Sequence, residues 1–305
     1  MAPLAWGLVR RWLAVLVAIG AVGGVAIAVA EERSDDPGLR PASSPSPSEV
    51  DGQPLPAPRV ALSRRPGRLA AALTDTTRRL RDALERWDPA QAVPRDITYL
   101  ALHHQRIVRL MTVRRRLGDA TLARLPADVR GEARDALLAR RQLAAIPRSP
   151  GRLPRVRVTG AAPAAELLRY YRHAQRRFGV QWSILASINF VESAFGRIRS
   201  ASEAGARGPM QFLPATWREY GMGGDIDRPR DAILAAANYL RRAGAEHDLN
   251  RALLAYNHST SYVRAIRRFA RRMRADERAF LTYYGWQVFV RTPSGIRQLT
   301  GPGHD

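Results

Sequence analysis

The run from Trp182 to Ser193 constrains the fold of this chain more than any other segment. It reads Trp-Ser-Ile-Leu-Ala-Ser-Ile-Asn-Phe-Val-Glu-Ser, and Glu192 is its one charged residue. Its apolar residues recur at the spacing of a helix with one buried stripe, and Gly196 indicates where the helix ends. The residues of this stripe are Ile184, Leu185, Ile188 and Val191. The sequence therefore predicts a buried helix that carries a single carboxylate in its last turn.

The neighbours of Glu192 favour its protonated form. Phe190 and Phe195 flank it, and desolvation by apolar neighbours raises the pKa of a carboxyl group. The last turn of a helix is the negative end of its dipole, which disfavours a carboxylate there by about 0.3–1 kcal/mol. An exposed glutamate at a helix end is the ordinary alternative, but Glu192 is the only acid between Glu166 and Glu203. A carboxyl group that stays protonated near neutral pH can act as a general acid toward a glycosidic oxygen.

A second carboxylate of similar setting is missing from the sequence around Glu192. Ordinary glycosidases use two carboxylates, one as acid and one as base or nucleophile. The available partners are Glu203 in the following loop and the aspartates beyond it, which are Asp225, Asp227 and Asp231. None of them lies in a similarly apolar run, so the pattern favours a mechanism with one carboxylate.

Three motifs follow one another in a specific order. They are Asn189-Phe-Val-Glu-Ser-Ala-Phe-Gly196, Gly208-Pro-Met-Gln-Phe-Leu-Pro214 and Ala255-Tyr-Asn257. In this order they resemble the soluble-lytic-transglycosylase-like (SLT) domain of enzymes that cleave peptidoglycan, and the similarity is closest to exported actinobacterial members. The resemblance extends from about Glu166 to Arg268, roughly a third of the chain. It implies a lysozyme-like α-helical fold.

The resemblance also implies a reaction. The bond cleaved would be the one between N-acetylmuramic acid and N-acetylglucosamine, and Glu192 would first protonate the leaving oxygen. The muramoyl N-acetyl group would assist at the anomeric carbon in place of a second carboxylate. Glu192 would then take the proton of the muramoyl 6-hydroxyl, so that a 1,6-anhydro ring closes without water.

Five further residues are assigned to substrate binding by the same resemblance. They are Ser193, Met210, Gln211, Tyr256 and Asn257. Ser193 would lie beside the acetamido group, Met210 and Gln211 would line the sugar groove, and the last two would position the glutamate and the saccharide. The alternative is that Met210 and Tyr256 are only core residues, the tyrosine with a satisfied hydroxyl.

The charge of the chain suggests an anionic partner. All 49 of its lysine-plus-arginine residues are arginine, and with 27 acidic residues the net charge is +22. Anionic wall polymer or a membrane surface could contact Arg-rich faces such as the one that begins at Arg264. A lysine-free composition typical of a GC-rich genome is an equally good explanation. No nucleic-acid-binding motif is present, so no nucleic-acid partner is expected.

The N-terminus predicts export. Arg10 and Arg11 precede the uncharged apolar run of residues 12–30, which ends in Ala-Val-Ala. This pattern fits a signal peptide cleaved near Ala30, and the run is also long enough to remain as a membrane anchor. We therefore expect an extracytoplasmic protein, anchored or secreted. The absence of cysteine excludes disulfides, thiol catalysis and lipid modification of an N-terminal cysteine.

Composition and periodicity divide the rest of the chain. Residues 31–66 form a Pro/Ser-rich linker, 67–146 a helical unit, 147–163 a second linker, 164–275 the catalytic domain, and 276–305 a tail with a β-hairpin. The predicted fold class is mainly α: a lysozyme-like transglycosylase domain preceded by a small helical unit. Within that unit, three apolar runs of helical spacing span residues 69–87, 100–117 and 122–138.

No cofactor or metal is predicted. His103 and His104 lack a further ligand at metal-binding spacing. The loop from Gly221 to Asp227 holds two acids and lacks the spacing of a twelve-residue calcium loop.

Two other functions stay open on the sequence. A hydrolytic, lysozyme-like muramidase would share the fold and use Glu203 or Asp225 as the base for water. A non-catalytic wall-binding or scaffold protein would keep the groove without the reaction. The presence of Glu192, Gln211 and Tyr256 argues against the second of these.

Overall fold

The computed structural model describes residues 49–50, 53–147, 156–292 and 295–304. The predicted signal peptide or anchor in residues 1–30 lies outside these ranges, as do residues 31–48 and 148–155 of the predicted linkers. Within the described ranges, no helix combines the length and the apolar character needed to cross a membrane.

The architecture is mainly helical with a short hairpin near the C-terminus, which confirms the predicted fold class. The elements in chain order are β1 (Glu49–Val50), β2 (Gln53–Pro54), α1 (Pro66–Arg86), α2 (Arg95–Val113), α3 (Arg115–Ala123), α4 (Ala127–Ala144), α5 (Ala164–Phe178), α6 (Trp182–Ser193), α7 (Pro214–Tyr220), α8 (Pro229–Arg242), α9 (Leu249–Tyr256), α10 (Thr260–Ala275), α11 (Arg278–Tyr284), β3 (Phe289–Thr292) and β4 (Gly295–Gln298).

The chain divides into two compact units. The first, called the site unit here, contains Glu166–Arg267. The second, called the terminal unit, contains the described residues up to Ala144 together with Pro163–Ala165 and Arg268 onward. The helix α10 therefore begins in the site unit and ends in the terminal unit.

One apolar core joins the helices of the terminal unit. Leu69 and Leu73 of α1 pack with Ile107 and Met111 of α2 and with Leu137 of α4. These residues come from the three runs that the sequence predicts as helical, so the runs do meet in one core.

The middle run of the terminal unit is two helices rather than one. The break is at Arg114, whose backbone leaves the helical region at φ −93° and ψ 79°. Gly118 then allows α3 to approach α2, because a Cβ on it would lie 2.3 Å from the Met111 carbonyl oxygen. Periodicity could not reveal this break, since Leu117 still faces the core after the turn.

The strands β3 and β4 form an antiparallel hairpin in the terminal unit. Phe289 pairs with Gln298, and Thr292 pairs with Gly295. The sequence predicts a hairpin in this tail, and the structure has one there.

The site unit is built around α6. Ile184, Leu185 and Ile188 are buried, whereas Val191 is only half-buried near the end of the helix. The helix contacts α8, in which every residue from Ala232 to Ala237 is buried. Four of those six are alanine, and small side chains let two helices approach closely. Prolines in the first turns of α7 and α8 start these helices at positions where no backbone donor is lost.

Candidate active site

Glu192 lies in the last turn of α6, directly before a left-handed stretch. Ala194, Phe195 and Gly196 have φ values of 51°, 63° and 81°. The first two are not glycine, and left-handed backbone is unfavourable for residues with a Cβ. The chain is held there by two backbone bonds, from Ala194 to Phe190 at 3.0 Å and from Phe195 to Asn189 at 3.1 Å. The sharp turn fixes the position of the last helical turn and of its carboxylate.

The carboxyl group of Glu192 is buried and has one hydrogen bond among the described residues. Only 4% of the residue is exposed, and the Tyr262 hydroxyl donates to Oε1 at 2.7 Å. Burial raises the pKa of Glu192 from 4.5 to about 7, and the hydrogen bond from Tyr262 acts in the opposite direction. At neutral pH both protonation states are therefore populated, as a group that first gives and then takes a proton requires.

Tyr262 was not among the residues predicted from the sequence. It lies in α10, it is fully buried, and its pKa is raised well above 10.0 by burial and then by the charge of Glu192. In the sequence it is one of several apolar or aromatic residues at helical spacing with Val263 and Ile266. That pattern indicates a core position, and nothing in it points to a partner 70 residues away.

Tyr256 and Asn257 lie at the end of α9. The Tyr256 hydroxyl donates to the Met210 carbonyl oxygen at 2.6 Å, so the direct bond to Glu192 comes from Tyr262. Burial and the charge of Glu192 also raise the pKa of Tyr256, in that order. Asn257 ends the helix, and its backbone N–H donates to Leu253 at 3.0 Å.

Ser193 connects α6 to the loop that carries Met210. The serine is fully buried, and its hydroxyl donates to the Pro209 carbonyl oxygen at 2.5 Å and accepts from the Gly196 N–H at 2.8 Å. The Asn189 amide donates to the same Pro209 oxygen at 2.8 Å. Met210 is also fully buried. The side chains of Ser193 and Met210 are therefore enclosed by protein.

Gln211 closes a tight turn that starts at Gly208. Its φ is 49°, and both its backbone N–H and its Nε2 donate to the Gly208 carbonyl oxygen, at 3.1 and 3.0 Å. Its Oε1 is buried and receives no hydrogen bond in the described part of the chain. A side chain at Gly208 would force the backbone of this turn to shift, because φ is +75° there and a Cβ would lie 1.9 Å from the Ile226 carbonyl oxygen. The turn thus presents an amide oxygen whose hydrogen-bonding capacity is unused.

The candidate second carboxylates have other partners or settings. Glu203 is exposed, Asp227 forms an ion pair with Arg207 at 2.7 Å, and Asp225 lies 3.7 Å from Arg228. No carboxylate contributes to the raised pKa of Glu192. Among the residues described, no group of three or more potential ligands is arranged to hold a metal ion. The arrangement can therefore supply one proton donor and acceptor, Glu192, in an apolar setting.

Comparison with known proteins gives a consistent result. Residues 169–279 match the family described as the Transglycosylase SLT domain, which confirms the resemblance drawn from the motifs. Membrane-bound lytic murein transglycosylase F from Thiobacillus denitrificans is 30% identical over 142 residues, which cover 44% of this chain and 27% of that protein. The chain thus spans about a quarter of the length of this relative. No solved structure matches this chain significantly.

Proposed function

We propose that this chain is a peptidoglycan lytic transglycosylase that takes part in cell-wall remodelling. It would cleave the β-1,4 bond between N-acetylmuramic acid and N-acetylglucosamine and leave a 1,6-anhydro end. The observation that carries the proposal is the buried Glu192, whose pKa is raised to about 7 in a domain that matches the SLT family. We further propose residues 164–275 as the catalytic domain.

In the first step Glu192 acts as a general acid. Because Oε1 accepts the hydrogen bond from Tyr262, the proton to be transferred resides on Oε2. It goes to the glycosidic oxygen, which leaves as the 4-hydroxyl of N-acetylglucosamine. The carbonyl oxygen of the muramoyl acetamido group bonds to the anomeric carbon as the glycosidic bond breaks. A second carboxylate is not needed for this step, in agreement with the finding that no other carboxylate affects the pKa of Glu192 in the described part of the chain.

In the second step the Glu192 carboxylate acts as a general base. It takes the proton of the muramoyl 6-hydroxyl, and that oxygen bonds to the anomeric carbon while the acetamido oxygen leaves it. Glu192 is then protonated again, so no proton or water is consumed over the cycle. The near-complete burial of the carboxyl group supports a reaction from which water is excluded.

The substrate contacts are proposed for the five residues predicted from the motifs. The unused Oε1 of Gln211 is suited to accept a hydrogen bond from an N–H or O–H group of the saccharide. Tyr256 and Asn257, at the end of α9, would contact the sugar from another side. Ser193 would lie beside the acetamido group, and Met210 would line the groove together with Gln211.

The location and the charged partners are proposed on the sequence. Residues 12–30 would anchor the chain outside the cytoplasm, or the chain would be secreted after cleavage near Ala30. Anionic wall polymer or the membrane surface would contact exposed arginines such as Arg264 and Arg274 of α10. Sedimentation with insoluble wall material should then weaken as salt is raised. Binding that is insensitive to salt would exclude this contact.

The test is mass spectrometry of the muropeptides that the full chain releases from purified peptidoglycan. We expect products lighter by one water that carry 1,6-anhydromuramic acid. The Glu192→Gln variant should release none, and the variant of the exposed Glu203, Glu203→Gln, should act like the wild type. Reducing-end products would make the chain a muramidase. No products from folded wild-type protein would favour the wall-binding or scaffold alternative.

A further inference from the structure

Three arginines of the terminal unit lie close together, and in the described part of the chain no carboxylate affects the pKa of any of them. Arg106 and Arg109 are one turn apart on α2, and Arg140 comes from α4, which packs against α2. Arg109 is 9% exposed and Arg140 is 7% exposed, whereas Arg106 is half-buried. We call these three residues the arginine cluster. Cationic side chains are rarely buried to this degree unless they are paired.

The arginine cluster has unused hydrogen-bond donors. In the part of the chain that the structure describes, Nη1 of Arg106 and Nε and Nη2 of Arg140 form no hydrogen bond, although all three atoms are buried. The recorded contacts of the two deepest guanidinium groups are with aromatic rings. The Cζ atom of Arg109 lies 4.0 Å from the centre of the Phe289 ring, and that of Arg140 lies 5.4 Å from the Trp286 ring. A ring face attracts the cation but accepts none of its in-plane N–H groups in a conventional hydrogen bond.

The electrostatics of the arginine cluster are unfavourable without an anion. Burial lowers the pKa of Arg109 well below its ordinary value, and the charges of Arg140 and Arg106 lower it further. Burial alone lowers the pKa of Arg140 to about 10. The protein thus holds these guanidinium groups near one another in a desolvated setting, and no charge of opposite sign affects the pKa of either.

The nearest buried acids on the same helix are already engaged. Glu132 accepts a hydrogen bond from Arg81 at 2.8 Å, and Asp135 is bonded to Arg271. Neither contributes to the pKa of Arg140. The protein thus pairs the buried acids of α4 with other arginines and leaves the arginine cluster without a counter-charge among the described residues.

We propose that the arginine cluster is a binding site for a phosphoryl dianion, either inorganic phosphate or a terminal phosphate monoester. Guanidinium groups match the oxygens of such an anion with paired N–H donors, and two charges on the ligand offset more of the cluster's charge than a carboxylate would. The half-buried Arg106 is the side from which the anion enters. Phe289 and Trp286 lie against the guanidinium groups of Arg109 and Arg140. The unpaired Nε and Nη2 of Arg140 and Nη1 of Arg106 are the donors left for the ligand.

Titration calorimetry of the full chain tests this site with inorganic phosphate at constant ionic strength. We expect saturable binding of one phosphate, weakened at least about tenfold in Arg140→Met and in Arg106→Met, because each removes a charged donor. The control is Arg68→Met, which removes the same charge from an exposed arginine of α1 in the terminal unit and should bind within about twofold of the wild type. If Arg140→Met does not fold, Arg106→Met carries the test, since its side chain is only half-buried.

Thermal unfolding separates a ligand site from a purely structural role. In phosphate-free buffer, Arg140→Met should unfold at the same temperature as the wild type or higher, because an unpaired buried charge is removed. Added phosphate should raise the unfolding temperature of the wild type and not that of the variant. A variant that unfolds earlier, together with no effect of phosphate on the wild type, would overturn the proposal.

Two further ligands define what the site accepts. If glycerol 3-phosphate binds more tightly than inorganic phosphate, the ligand is the terminal phosphate of a larger molecule. If inorganic phosphate binds more tightly, the ligand is free phosphate. Acetate that binds as tightly as phosphate would overturn the assignment to a phosphoryl dianion. So would equal phosphate binding by all four proteins or no saturable binding. None of these readouts depends on cleavage of peptidoglycan.

Discussion

Replacing Glu192 by glutamine should stabilise the protein, and the gain should depend on pH. The pKa of this carboxyl group is 4.5 when exposed and about 7 in the folded chain. Between these values the unfolded chain has released the proton while the folded chain still holds it. The free energy of unfolding of the wild type therefore falls as pH rises from about 4.5 to about 7, because folding must bind a proton there. Glutamine cannot ionise, so the variant lacks this loss.

The size of the effect follows from the two pKa values. Their difference of about 2.5 pH units corresponds to about 3 kcal/mol at 1.36 kcal/mol per unit. Below pH 4.5 the two proteins should be nearly equally stable, because a protonated carboxyl and an amide have similar shapes and either can accept the hydrogen bond from Tyr262. Above pH 7 the variant should be more stable by the full amount.

The assay is urea denaturation of the full chain at pH 4, 6 and 8, followed by far-UV circular dichroism. Glu203→Gln is the matched control, because it makes the same substitution at an exposed glutamate and should change the free energy of unfolding only slightly. A Glu192→Gln protein that is less stable at pH 8, or whose advantage does not grow between pH 4 and pH 8, would refute the reasoning that burial of the carboxyl group raises its pKa.

Two other predictions follow from the geometry of the site unit. Activity should fall as pH rises through about 7, because Glu192 must be protonated to act as the acid. Tyr262→Phe should move this decline to higher pH, since it removes the hydrogen bond that lowers the pKa of Glu192. A pH–rate profile that does not move would contradict this. Gly208→Ala should destabilise the protein by at least about 2 kcal/mol more than Gly205→Ala in thermal unfolding. Both glycines have positive φ, but only at Gly208 would a Cβ meet the Ile226 carbonyl, so equal losses would contradict the clash.

The sequence predicts the parts of this structure that depend on local pattern. The α6 helix, the end of that helix near Gly196 and the burial of Glu192 follow from apolar spacing and from the residues beside the carboxylate. These features need only information within one helix and its ends.

Contacts between distant segments could not be predicted in the same way. The hydrogen bond from Tyr262 to Glu192 joins residues of two helices, and the sequence marks Tyr262 only as a core aromatic. Ser193 illustrates the same limit, because its hydroxyl is bonded to Pro209 of a later loop. The arginine cluster joins segments that lie even farther apart in the sequence. An arginine in a helix is ordinarily expected in solvent, and only the packing of α2, α4 and β3 buries these.

The central claim is that Glu192 first donates a proton to the glycosidic oxygen and then accepts one from the muramoyl 6-hydroxyl, and that water takes no part in the reaction. Digestion of purified peptidoglycan by the full chain in water enriched in oxygen-18 tests it most directly. The account predicts released muropeptides that carry no label at the anomeric carbon and are lighter by one water than reducing-end products, and it predicts no release by Glu192→Gln. Incorporation of one oxygen-18 into each new reducing end would contradict it.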